Sequence, residues 1–407
     1  MSESSLKKIT IDELTPGMYV HSIVEQTGSI KIKSQGKVLR KSVVEALKKR
    51  GVKILLIDLS KQFVPDEAEP DLSASSDNPD DDGGAAITEK APVEKVSFQQ
   101  EVSRATQLHK QGKNIQKQLL NAVKKGLPFD DKVPREFSQS LVSSIDRNPD
   151  ALLCLTKIRE KDEYLLEHSL NVAILLANFA RYIGMNDTEV NDLAYAGFLH
   201  DIGKIRIPDS ILHKPGKLTD MEMNVMRDHV YYGVRVLEEV NIPAPLVRTV
   251  SEHHERLDGY GYPNGARGEE ISQAGRMLAI ADVYDALTAD RCYKAGMPSQ
   301  KALKILISDS PHKLDQALVQ QFIKCMGVYP VGSLVKLNNE RIGMVMAQTD
   351  TSLAPKVRVF YSSRGNHYLE PKDIDLTTDT AVRIEKAVTA SDYRIDVKAF
   401  FERGVNI

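Results

Sequence analysis

The sequence predicts a multidomain protein: an all-α helical bundle as the main domain, a small α/β module before it and a small β extension after it. Three observations carry this reading. The 407 residues are more than one domain commonly uses. Apolar segments at helical spacing fill residues 150–328 without a strand pattern among them. Short β-patterned runs fall only before residue 62 and after residue 329. An apolar fraction of 42% beside 27% charged residues is that of a globular chain able to build a core.

Residues 1–62 read as the α/β module. Met18–Ile23 and Ile54–Leu59 have strand character, and Ser42-Val43-Val44-Glu45 fits a capping box opening a helix to about Lys49. Basic residues cluster from Lys31 to Lys53, which reads as a solvated face. Residues 63–97 form an acidic linker, rich in Pro, Asp, Glu, Ser and Gly and too poor in large apolar residues to offset its conformational entropy. Residues 98–149 read as connecting helices. The first, Phe98–Lys125, carries the sparse stripe Val102, Leu108, Ile115, Leu119, Val123 and is expected to connect domains or to pair in a homodimer. The second is expected to start near Pro134, since proline is tolerated in a first turn.

Within residues 150–328, Glu163–Ile183 is apolar nearly all round, as a buried helix is. Capping boxes at Asn186-Asp187-Thr188-Glu189 and Thr219-Asp220-Met221-Glu222 start helices over about 187–202 and 220–240. Pro243 and Pro245 precede a helix at about 246–256, Gly259-Tyr260-Gly261-Tyr262-Pro263 is a loop, and Ser272–Asp290 is helical again. After Tyr329-Pro330 the strands Ser333–Leu337, Arg341–Gln348 and Lys356–Tyr361 make the β extension, with a tail to residue 407.

Composition excludes several functions. A net charge of −2 gives no case for long nucleic acid or an anionic membrane surface. Three widely spaced cysteines, Cys154, Cys292 and Cys325, do not make a disulfide framework. The polar amino terminus and the lack of any run of 18 apolar residues lead us to expect a cytoplasmic protein with no membrane partner.

The chemistry collects around His200-Asp201, at the end of an apolar run soon broken by Gly203. Buried charge there is costly without a partner, and a metal ion is the usual one. Singly, His168, His229, His253-His254 and Asp282 each have ordinary structural explanations. Together they put five histidines and two aspartates on successive helices, which is how bundles build metal sites. Seven such groups exceed one tetrahedral or octahedral shell with an open position. Two divalent metals bridged by Asp201 are therefore expected, and mixed imidazole and carboxylate ligands without cysteine favour iron or manganese. Paired metals point to phosphoryl chemistry, in which a hydroxide held between the ions attacks and the ions neutralise phosphate charge. No Ser–His–Asp or Cys–His arrangement and no phosphate-cradling loop competes with this.

His168, His200-Asp201 and Asp282 resemble the signature of the HD phosphohydrolase superfamily, and His253-His254-Glu255-Arg256-Leu257-Asp258-Gly259-Tyr260-Gly261-Tyr262-Pro263 resembles the extended motif of its HD-GYP subgroup. Pro208-Asp209, Lys214 to Thr219 and Ala281 to Thr288, which includes Asp285, also match. The amino-terminal module resembles an uncharacterised domain often fused ahead of bacterial members. The resemblance implies an HD-type bundle and a cyclic-dinucleotide phosphodiesterase acting on cyclic di-GMP or 3′3′-cyclic GMP-AMP. His168, His200, Asp201 and Asp282 would serve one metal, and Asp201, His229, His253 and His254 the other. Lys204 would steady a phosphate oxygen, and Arg291 with Lys294 would hold the second phosphate. Asp258, Gly261, Tyr262, Pro263 and Asp285 would belong to the pocket or to a loop docking partners. Tyr164 stands where some members carry an acidic residue for a third metal, so a binuclear centre is expected. Cys292 stands where proline is common, which bears on substrate preference. The competing reading is a catalytically weak receptor or scaffold signalling through partners such as diguanylate cyclases.

Overall fold

The computed structural model describes residues 6–58 except 17, 28–35, 39–43, 46 and 49–50, then residues 94–158, 164–289 and 296–400 except 398. It forms two compact units, residues 1–89 and 90–407. In the first, β1 (Leu6–Thr10), β2 (Tyr19–Gln26), β3 (Gly36–Lys37) and β4 (Val52–Asp58) make an antiparallel sheet in the order β1-β4-β2-β3. Central β4 buries Val52, Leu55 and Ile57 against Ile9, Ile11, Leu14 and Val20. The strands expected at Met18–Ile23 and Ile54–Leu59 are β2 and β4, with bounds shifted by a few residues. β1 was not expected. Residues 44–45 and 47–48 are helical, while the proposed cap Ser42 and most of the basic cluster lie outside the described residues.

The second unit is a helical bundle with a terminal sheet. α1 (Phe98–Lys124) opens with a capping box in which Ser97 and Gln100 serve each other's backbone N–H groups. α2 (Lys132–Arg147) and α3 (Pro149–Leu155) follow, the latter capped by Asn148 with proline at its start. α4 (Tyr164–Tyr182) is buried on every side from Leu170 to Ala180. Each fully buried Leu, Ile, Val or Phe there stabilises by about 1.5–3 kcal/mol, which makes α4 the spine of the bundle. α5 (Asp187–Leu199), a short 3₁₀ turn (Ile202–Arg206), α6 (Asp220–Glu239), α7 (Ala244–Ser251) and α8 (Gln273–Thr288) surround it. α9 (Ser299–Asp309) and α10 (Gln316–Met326) close the bundle.

Two expectations change here. The apolar stripe of α1 packs inside the unit: Val102, Ile115, Leu119 and Val123 belong to the same core as α3 to α5. Most of the stripe is therefore taken up by the chain's own core, with Leu108 partly buried beside it. The helix expected at about 246–256 stops at Ser251, and the next three residues, Glu252 to His254, form a turn.

The chain ends in an antiparallel sheet ordered β8-β7-β6-β5-β9, made of β5 (Leu334–Leu337), β6 (Arg341–Ala347), β7 (Lys356–Ser362), β8 (His367–Asp375) and β9 (Ile384–Val388). The first three are those expected; β8 and β9 lie in what read as a tail. β6 packs on the bundle, with Met344 Sδ 3.5 Å from Cys154 Sγ. Among the described residues no helix is long and apolar enough to cross a membrane.

Candidate metal centre

Five elements deliver the seven candidate ligands to one place. His168 lies near the start of α4, and His200 caps the end of α5 with Asp201 directly after it. His229 is midway along α6, His253 and His254 occupy the turn after α7, and Asp282 lies on α8. All are buried except His254, which reaches intermediate exposure. The approach is close because Gly203 has no side chain: a Cβ there would stand 2.0 Å from the carbonyl of His229 and 2.4 Å from the nitrogen of Gly233. That contact seats the 3₁₀ turn against α6.

The two oxygens of Asp201 face different imidazoles. Oδ2 lies 3.4 Å from His168 Nε2 and 3.3 Å from His200 Nε2. Oδ1 lies 3.5 Å from His229 Nε2 and 3.9 Å from His253 Nε2. Asp282 Oδ1 completes the first side at 2.9 Å from His168 Nε2, and its Oδ2 is 3.8 Å from His254 Nδ1. His168, His200 and Asp282 can thus converge on one ion, His229, His253 and His254 on another, and His200, Asp201 and His253 also converge between them.

The hydrogen bonds set which nitrogen of each ring is free. His200, His229 and His253 each direct Nδ1 at the backbone carbonyl three residues earlier, at 2.8 Å from Gly197, 2.7 Å from Met226 and 2.5 Å from Val250. A carbonyl only accepts, so Nδ1 carries the proton and Nε2 keeps a lone pair aimed inward. His229 Nε2 and His253 Nε2 then face each other across 3.3 Å. Two lone pairs repel at that distance unless a cation lies between their donors. Burial holds His229 down at about 4 and His254 at about 3, and keeps His253 well below the usual imidazole range, so all three are neutral donors. His200 Nε2 and Asp201 Oδ1 are buried with no hydrogen-bond partner. Buried atoms of that kind are costly to leave unsatisfied, and ions supply what they lack. The residues fit a pair of divalent metals.

Asp285 does not line the pocket. It is buried behind His168, with Oδ2 2.8 Å from Nδ1, the carboxylate–histidine pairing that orients metal-binding imidazoles. Burial lowers the basicity of His168, but Asp282 and Asp285 outweigh it and raise the ring to about 9. Asp201 remains ionised: burial works against its charge, but His200 and Lys204 hold it well below the usual carboxylate range. Lys204 Nζ is 2.6 Å from Asp201 Oδ2, so its partner here is that carboxylate.

The Gly-Tyr-Pro loop closes over the exposed side. The Tyr262 ring lies 4.7 Å from that of His254, and the Arg227 guanidinium sits over Tyr262 at 5.3 Å. Asp258 is spent within the loop, bonded to Arg256 and to the Tyr260 N–H. Gly259 takes the left-handed conformation at φ +78°, but Gly261 does not; Gly261 is needed because a Cβ would stand 2.4 Å from the Arg256 nitrogen. The peptide before Pro263 is cis. Buried Glu255 accepts from the N–H groups of Asn264, Gly265 and Ala266 and so ties the loop to the ligand turn, a role the sequence reading missed. Arg291, Lys294 and Cys292 lie outside the described residues, as does the Tyr164 side chain.

Comparison with known proteins follows this geometry. Residues 153–318 match the HD domain model, residues 6–132 the domain of unknown function DUF3391, and residues 334–395 the KOW domain associated with HD domains. A cyclic di-GMP phosphodiesterase of Pseudomonas aeruginosa is 34% identical over 391 residues, covering 94% of this chain and 92% of that protein. The chain belongs to the HD-GYP family. A 3′3′-cGAMP-specific phosphodiesterase of Vibrio cholerae is 34% identical over 204 residues, 50% of this chain and 42% of that protein. A solved HD-GYP-type protein of Bdellovibrio bacteriovorus aligns with a TM-score of 0.48 at 16% identity, over 78% of this chain and 98% of that one. Divalent metal dependence is what membership of this family implies.

Proposed function

We propose that this HD-GYP protein is a metal-dependent phosphodiesterase that opens a 3′-5′ cyclic dinucleotide, cyclic di-GMP or 3′3′-cyclic GMP-AMP, to the linear dinucleotide. The observation that carries the reading is Asp201, whose two oxygens are divided between His168/His200 and His229/His253. The activities named for the Pseudomonas aeruginosa and Vibrio cholerae relatives support the substrate class.

His168, His200, Asp282 and one oxygen of Asp201 would hold one ion, and His229, His253, His254 and the other oxygen the second, with iron or manganese suited to these donors. When bound, the metals supply a nucleophilic water at neutral pH and offset charge on the phosphate oxygens. The chain's own residues do the rest. Asp285 fixes the His168 ring, and the carbonyls of Gly197, Met226 and Val250 fix those of His200, His229 and His253. Lys204 turns from Asp201 to a phosphate oxygen, and Arg291 with Lys294 meets the second phosphate. Tyr262 walls the pocket beside His254. The amino-terminal unit has a regulatory role in this reading, and the protein works in bacterial cyclic-dinucleotide signalling within the cytoplasm.

The test is chromatography of cyclic di-GMP and cyclic GMP-AMP after incubation with protein loaded with Fe(II) or Mn(II). Linear product from either supports the proposal. Binding of both ligands without linear product, across a panel of metals, would establish a receptor instead.

A further inference from the structure

α1 has a place at the metal centre that its sequence does not announce. Gln116 lies one turn beyond Gly112 and Lys113, at i,i+4 and i,i+3 spacings that make it the face neighbour of each. At Gly112 the helix comes so close to its neighbours that a Cβ would stand 2.5 Å from Phe137 Cζ and 2.9 Å from Leu170 Cδ1. Leu170 is two residues beyond His168 on α4. Beside this contact, Lys113 Nζ lies 3.4 Å from Oε1 of buried Glu167, the residue directly before His168.

One turn further on, buried Gln116 donates from Nε2 to the backbone carbonyl of Phe198. That carbonyl belongs to the last turn of α5, where helix carbonyls lack an intrahelical partner. The neighbouring carbonyl, of Gly197, is the one that orients His200 through Nδ1. Two polar anchors on one face of α1 therefore meet the chain beside two candidate ligands carried by different helices. The match to the domain of unknown function extends to residue 132 and takes in all of α1, yet α1 packs within the second unit.

We infer that α1 positions the first metal site: Lys113 sets the start of α4 that carries His168, and Gln116 sets the end of α5 that carries His200. The inference rests on reading those histidines as metal ligands. Neither residue touches substrate; both act through the helices they anchor. Outer partners of this kind change metal affinity by about 10–100-fold when removed.

The control is on the same helix. Glu101 anchors α1 to α2 through Arg147 at 2.7 Å and Ser144 at 2.8 Å, three helical turns from Lys113. Its loss loosens α1 without touching either anchor.

The experiment compares the full-length parent with Gln116→Met, Lys113→Met, Lys113→Arg and Glu101→Gln. Mn(II) affinity is measured by chelator competition, melting temperature by calorimetry, and kcat and KM on cyclic di-GMP. Gln116→Met and Lys113→Met are expected to weaken Mn(II) binding about tenfold or more and to lower kcat with KM unchanged. Lys113→Arg keeps the ion pair and restores the parent affinity. Glu101→Gln lowers the melting temperature and leaves Mn(II) affinity at the parent value. Parent affinity in both methionine variants overturns the inference, and so does an equal loss of affinity in Glu101→Gln. A parent chain that binds Mn(II) without turnover counts against the phosphodiesterase reading alone, because the affinity comparison stands without it.

Discussion

Replacing Asp201 by asparagine keeps the shape of the side chain and removes its charge, which isolates the bridging role proposed for it. The two ligand groups do not depend on Asp201 equally. His168 and His200 retain Asp282, whose Oδ1 stays 2.9 Å from His168 Nε2. His229, His253 and His254 are three neutral imidazoles; Asp201 Oδ1, 3.5 Å from His229, is the closer carboxylate, and Asp282 Oδ2 reaches only His254, at 3.8 Å. The expected result is a fall from two ions per chain to one, with the histidine-rich side emptied. If affinity there falls about a hundredfold, a metal concentration that stabilised the parent by about 2.7 kcal/mol, one hundred times its Kd, stabilises the variant by only ~0.4 kcal/mol. At about 2–4 °C per kcal/mol for a domain of this order of size, a metal-induced rise in melting temperature of ~5–10 °C shrinks to about one degree. Metal analysis after gel filtration and calorimetry with and without Mn(II) measure both quantities, and turnover is expected to be lost. A variant that keeps two ions and the parent rate refutes the bridge.

Three further outcomes follow from the geometry. Asp285→Asn leaves His168 without its carboxylate partner and is expected to weaken Mn(II) binding by about 10–100-fold, read by chelator competition. Gly203→Ala forces a Cβ onto the His229 carbonyl and the Gly233 nitrogen, and both are backbone that cannot rotate away. Overpacking of that kind costs about 1–3 kcal/mol, so the melting temperature should fall, and turnover with it as α6 carries His229 aside. If the ring beside His254 walls the pocket, as proposed, Tyr262→Phe should leave kcat at the parent value and Tyr262→Ala should raise KM; steady-state kinetics on cyclic di-GMP distinguishes the two.

The cluster of candidate ligands was legible in the sequence because a metal site needs particular donor types, and His168, His200, Asp201, His229, His253, His254 and Asp282, which the fold brings together, have few other reasons to recur in one bundle. What the sequence left obscure is how each side chain is held. Asp282 and Asp285 are three apart on α8 and so point the same way; that spacing was available as a signal that Asp285 serves the metal side rather than the pocket. Glu255 gave no such signal, because its three N–H partners come together only when the loop folds back on the turn. β8 was hidden for a different reason. As an exposed edge strand carrying Glu370, Pro371 and Lys372 it lacks the alternation that marks a half-buried strand, and charge and proline are what edges use to avoid pairing.

α1 shows where pattern reading reaches its limit. A stripe such as Val102, Ile115, Leu119 and Val123 states that one helix face is buried and is silent about what buries it, so a dimer partner and the chain's own bundle read alike. The polar residues beside the stripe could have separated the two. A self-pairing face has no need of a glycine where side chains of two other helices press in, nor of a glutamine buried against a helix end. Gly112 and Gln116 make sense only against fixed neighbours at fixed distance, and those neighbours are α2 and the two helices that carry His168 and His200. The residues that least resemble a hydrophobic stripe are the ones that say where the stripe belongs.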